Sequence, residues 1–172
     1  MSRTLSMTLP ALVAAFIASG ALNAQGLGDP RIGSWDEQKT STDYDSLRRV
    51  FVSAANGMTR MIINAKLLQA NQLHVDFNCD GSAYRVLTQD GRFSGLTYSC
   101  RHTAARSFDF SSKRGPADAG VTLAHGTSGD WVTASGTETV SADGRTYETT
   151  AVLRFPDGHT RQSQRQFVLR GP

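Results

Sequence analysis

Little in this 172-residue chain carries chemistry by itself. Its only cysteines are Cys79 and Cys100, which excludes the close Cys-x-x-Cys spacing of a redox-active pair. No Gly-rich loop stands before a helical pattern to cradle a phosphate. Gly126-Thr127-Ser128-Gly129 does not match Gly-x-Ser-x-Gly, and a strand-like segment at Trp131 stands where a nucleophile elbow needs a helix. Neither sign of charge dominates. The formal net charge is +3, and the arginines are scattered rather than gathered on one face, which argues against a nucleic-acid partner. Arg48-Arg49 and Lys113-Arg114 read as solvated surface pairs. No cofactor or metal is expected. No apolar run reaches the roughly 20 residues of a membrane-spanning helix, so no transmembrane span is expected in the mature chain.

One shorter apolar run does stand out. Arg3 is the only charge before Asp29, and Leu9-Pro10-Ala11-Leu12-Val13-Ala14-Ala15-Phe16-Ile17-Ala18 follows it and ends in small residues. This is the pattern of a secretory signal peptide over 1–24, cleaved after Ala21 or Ala24. It predicts export to the periplasm or the exterior, and a single domain over 25–172. In an oxidising compartment Cys79 and Cys100 are expected to form a disulfide.

The positive signals are turns. Asp80-Gly81, Asp90-Gly91, Asp143-Gly144 and Asp157-Gly158, with Asn56-Gly57 upstream, punctuate segments that mostly alternate polar and apolar residues. These are hairpin signals, and a type I′ turn would use positive φ at both central residues. With a two-residue turn at Asp90-Gly91, Gly81 falls opposite Cys100 and Cys79 opposite His102. The cysteines are then diagonal neighbours, close enough to bond if Asp80-Gly81 bends the strand. Strands are expected over 33–44, 72–78, 83–88, 92–101, 107–111, 121–125, 131–141, 145–155 and 160–169. Segments 47–54 and 58–63 also fit a helical stripe within 45–70, through Leu47, Val50, Ala54, Met58, Met61, Ala65 and Leu68. Strands are preferred there because Asn-Gly inside a helix costs about 1 kcal/mol or more.

Some ten short strands without a helical crossover must close or stack to hide their edges. The predicted class is all-β, an antiparallel up-and-down meander forming a lipocalin-like barrel. A β-sandwich is the alternative, although only 101–107 and 112–120 are long enough for the connections between its sheets.

Two resemblances add to this. Gly33-Ser34-Trp35, just after Asp29-Pro30-Arg31-Ile32, resembles the Gly-x-Trp opening of lipocalin-like (calycin) barrels. The resemblance implies that Trp35 packs near the barrel floor, with Arg165 or Arg170 from the last strand lying across it by cation–π contact. In addition, Asn56-Gly57-Met58-Thr59-Arg60, Asp80-Gly81 with Tyr84, Val140-Ser141-Ala142-Asp143-Gly144-Arg145-Thr146 and Pro156-Asp157-Gly158 resemble a group of uncharacterised exported bacterial β-rich proteins. That likeness spans about 46–168, consists chiefly of turns, and implies no activity.

For catalysis the candidates are His74 and Asp76, which share a strand face, with His102 near Cys79. They would serve a hydrolase or lyase with a His/Asp pair, but only nearness in sequence links them, and the chain is expected not to be an enzyme. For binding the candidates are Tyr84, Tyr98, Trp131 and Tyr147, inward-facing aromatics among many small Ser, Thr, Ala and Gly residues. Small side chains leave a barrel incompletely filled. The preferred reading is an exported barrel that binds a small apolar or aromatic ligand or a lipid. The alternative is a non-catalytic structural, interaction or inhibitor-like protein of the cell envelope.

Overall fold

Of the eleven expected segments, ten form strands among the described residues, and the last pairs with the first. The structure, a computed structural model, describes residues 28–38, 47–63, 72–121 and 131–170. The expected signal segment, the end of the first expected strand and most of the strand expected over 121–125 lie outside the described residues. The strands are β1 (Gly33–Glu37), β2 (Arg48–Ser53), β3 (Thr59–Ile63), β4 (Leu73–Phe77), β5 (Tyr84–Thr88), β6 (Phe93–Ala104), β7 (Ser107–Arg114), β8 (Thr133–Val140), β9 (Thr146–Arg154) and β10 (Thr160–Leu169). Each pairs antiparallel with the next in the chain. The β1–β10 ladder, which includes Trp35 opposite Leu169, closes the barrel. Closure decides against the sandwich. The ambiguous segment around Asn56-Gly57 is the β2–β3 hairpin, joined by a 3-10 turn over Ala55–Gly57.

The period-2 pattern sorts the side chains. Leu47, just before β2, and Arg49 and Phe51 on it face one way and Arg48 the other, where it pairs with Asp36 at 2.7 Å. At one end, Trp35, Phe51, Phe77, Phe108, Tyr147 and Phe167 are fully buried and fill the interior. Tyr147 packs against Trp35, Phe51 and Phe167 with centroids 5.3–5.8 Å apart, an arrangement that favours tilted or edge-on aromatic contacts. This is the barrel floor, and Trp35 lies in it as the calycin likeness implies. Its indole N–H donates to the carbonyl of Arg31 at 2.7 Å.

The Asp-Gly turns differ from type I′. Among the described residues Asn56 is the one non-glycine with positive φ, at 57°. In the Asp-Gly pairs only glycine takes the left-handed conformation, with φ from 70° to 88°. The aspartates instead accept backbone N–H groups two residues on, at 2.8 Å in Asp80–Ser82, 3.0 Å in Asp143–Arg145 and 3.1 Å in Asp157–His159. Asp is thus used for its side-chain acceptor and Gly for its φ.

At Asp90-Gly91 the result is a three-residue loop, with Gly91 N–H donating to Thr88 and Thr88 N–H to Arg92. Leu87 therefore pairs with Phe93, one step from the two-residue register, until a bulge opposite Arg85–Leu87 shifts the ladder. Beyond it Gly81 N–H still donates to the Cys100 carbonyl at 2.8 Å. Cys79 and Cys100 form a disulfide across a Cα separation of 4.6 Å. The β4–β5 ladder has only two registered pairs, Leu73–Thr88 and His74–Leu87. The disulfide ties the chain just after β4 directly to β6, bypassing the short ladder.

Gly136 on β8 is required by close approach rather than by φ. An added Cβ would stand 1.8 Å from the Thr150 carbonyl oxygen and 2.8 Å from the Ala151 Cα, so no larger residue fits without moving β9.

Candidate functional site

Burying an arginine is costly unless its donors are all met. Arg31, just before β1, is fully buried in the floor. Its guanidinium donates twice to Asp29, from Nε at 3.0 Å and Nη2 at 2.8 Å. Nη1 reaches Glu138 Oε2 at 2.6 Å and the Tyr98 hydroxyl at 3.3 Å. Its Cζ lies 3.9 Å from the centre of the Phe108 ring and 5.2 Å from those of Phe51 and Phe77. Burial opposes the charge, but Tyr98, Glu138 and Asp29 outweigh it and keep Arg31 charged. Burial would likewise raise the Asp29 carboxyl, but the hydrogen bonds and charge of Arg31, helped by Thr59, hold it below its ordinary value.

Glu138 on β8 continues the network into the barrel. Oε2 accepts Arg31 and the Tyr98 hydroxyl, the latter at 3.2 Å, and Oε1 accepts Arg49 Nη1 at 3.2 Å. Arg49 Nη1 also donates to the Tyr147 hydroxyl at 2.8 Å, and its Cζ stands 5.3 Å from the Phe167 ring centre. Burial, and after it the charge of Glu138, pushes the Tyr98 hydroxyl well above its usual range. Burial raises Tyr147 as well, with Arg49 opposing. Both tyrosines therefore stay protonated; Tyr98 accepts from Arg31 and donates to Glu138, while Tyr147 accepts from Arg49. A second pair, Arg165 on β10 and Glu37 on β1, approaches to 3.4 Å.

Above this charged layer lies a cavity of about 140 Å³. Its walls are mainly apolar, with Met61, Ile63, Leu73, Leu96, Phe110, Trp131 and Leu153. Its base carries Arg49, Tyr98, Glu138, Thr149 and Arg165. The space exists because Ser112, Ala134, Ala151 and Ser163 face inward where larger side chains would fill the barrel.

Of the aromatic candidates, Tyr98 and Trp131 line the cavity. Tyr147 lies beneath it and holds Arg49. Tyr84 is half-buried outside the cavity lining, its hydroxyl donating to Asp80 at 3.0 Å. The His and Asp candidates do not join the cavity. His74 and Asp76 sit on the face of β4 opposite the buried Leu73, Val75 and Phe77, and Asp76 is held by Arg60 at 2.6 and 2.7 Å. His102 is exposed on β6, its ring 4.6 Å from that of Phe108. Among the described residues no group of three His, Cys, Asp or Glu side chains could hold a metal ion.

Two further expectations are corrected. Arg49 is an interior residue, not half of a solvated pair; it is in phase with Leu47 and Phe51, while Arg48 takes the outer face. The cations against the floor aromatics are Arg31 and Arg49, whereas Arg165 ion-pairs with Glu37 and Arg170 is exposed at the strand end. Alternation along β2 and β8 was the available signal, since Arg49 and Glu138 occupy inward positions in otherwise small or apolar rows. No protein-family model matches the chain, and no curated protein matches it in sequence.

Proposed function

We propose that this is an exported, non-catalytic barrel that takes a small apolar or aromatic molecule into its interior. The carrying observation is the apolar-walled cavity above a polar floor, with Trp131 and Tyr98 on its lining. Pockets built for small ligands combine such walls with a few placed polar groups. Barrel closure supports this reading over strand addition to a partner, because a closed sheet offers no free edge. Export is supported by the charged-then-apolar segment over 1–24 and by the disulfide, a bond that persists in oxidising compartments.

Size narrows the ligand. A dry cavity of about 150 Å³ accommodates benzene, so a volume of about 140 Å³ suits a single ring or a short branched chain. The test is a thermal-shift and native-mass screen of the purified protein against single-ring aromatics, repeated with Ala151→Leu, which fills the cavity. Binding by the parent that is lost in the variant is the expected result. A parent that binds none of them, or a variant that binds equally well, refutes the reading.

A further inference from the structure

Resting on that binding reading, we infer that the ligand is an acid: a small aromatic or branched aliphatic carboxylate, with its head group on Arg49 and Arg165 and its apolar body toward Trp131. The argument is which polar groups the cavity can touch. Glu138 and Glu37 line the same end of the barrel, but each side chain is only 1% exposed, whereas Arg49 is 20% and Arg165 13% exposed. Both carboxylates already accept from the protein. Glu138 takes three donors, and Glu37 accepts the Leu47 N–H at 2.8 Å.

Arg49 retains unused capacity. A guanidinium has five N–H donors, and among the described residues Arg49 commits only Nη1 to acceptors. Nε and Nη2 remain, beside a cavity that Arg49 lines. An acceptor-rich, planar head group satisfies such a fork in a way that an amine or an alcohol does not. Arg31, Arg49 and Arg165 offset Asp29, Glu138 and Glu37, so accessibility and not net charge sets the preference: a cationic ligand would meet the more exposed guanidinium groups, while Glu138 and Glu37 are 1% exposed and already paired.

The test is calorimetric titration of the full chain, at neutral pH, with three probes of one shape: benzoate, benzamide and toluene. Benzoate is expected to bind at least tenfold more tightly than benzamide, and Arg165→Gln is expected to remove most of that preference. Arg165 suits the test because its contact with Glu37 lies outside the Arg31–Glu138–Arg49 network. If benzamide and toluene bind as well as benzoate, the acid inference fails and the apolar-ligand reading survives. If none of the three binds, both fall. A benzoate preference that persists undiminished in both Arg165→Gln and Arg49→Lys places the anion elsewhere and also overturns the inference.

Discussion

Replacing Glu138 with Gln should destabilise the barrel far more than neutralising any surface acid. Glu138 is 1% exposed and, among the described residues, is the one acceptor shared by Arg31 and Arg49. Gln keeps its shape but has one acceptor oxygen, so its NH2 must face one of the two guanidinium groups, donor against donor. The interior would also be left with an uncompensated positive charge. Removing one partner of a buried ion pair costs about 3–5 kcal/mol, a large part of the roughly 5–15 kcal/mol that holds a domain folded. At about 2–4 °C per kcal/mol for a chain of this size, the melting temperature should fall by roughly 6–20 °C.

The internal control is Asp76→Asn, which breaks the Arg60–Asp76 pair. That pair has equally short contacts, but its side chains are 44% and 34% exposed, and exposed pairs contribute about 0–1 kcal/mol. Urea unfolding followed by tryptophan fluorescence compares the two variants with the parent, because Trp35 lies in the floor beside the network. A Glu138→Gln variant within about 1 kcal/mol of Asp76→Asn would refute the reasoning: the network would then be no more than a surface-strength ion pair.

Gly136→Ala should cost several kcal/mol, because its Cβ would meet the Thr150 oxygen at 1.8 Å. Gly158→Ala, at φ 88° with open space around it, should cost only about 1 kcal/mol; equal losses in thermal melts of the two variants would contradict the close-approach argument. Acid should weaken the floor through Asp29. Its folded pKa is depressed below the ordinary 3.8, so its contribution is complete above about pH 5 and is lost as pH falls through 3.8 toward the lower folded value. Asp29→Asn should therefore flatten the acid limb of a stability–pH profile, and an unchanged limb would count against the assignment.

The alternating segments and glycine turns were enough to determine an antiparallel meander, because side-chain period and positive φ are local properties of the chain. The cysteine pairing followed from the hairpin even though the loop length and register did not. A three-residue loop and a two-residue one share the Asp-Gly signature, and the bulge near Arg85 reflects how neighbouring strands fit together. Tyr98 and Trp131 were legible as inward aromatics. Arg49 was not: beside Arg48 it reads as one of two exposed cations, and only closure of β1 onto β10 converts its strand face into an interior. The charged floor is likewise a tertiary product. Arg31 and Glu138 are 107 positions apart, and Arg31 keeps its charge away from water only because Glu138 and Asp29 are folded against it. The sequence by itself determined how the strands connect. The tertiary structure decided which faces point inward together, and hence that a cavity closes over buried charge.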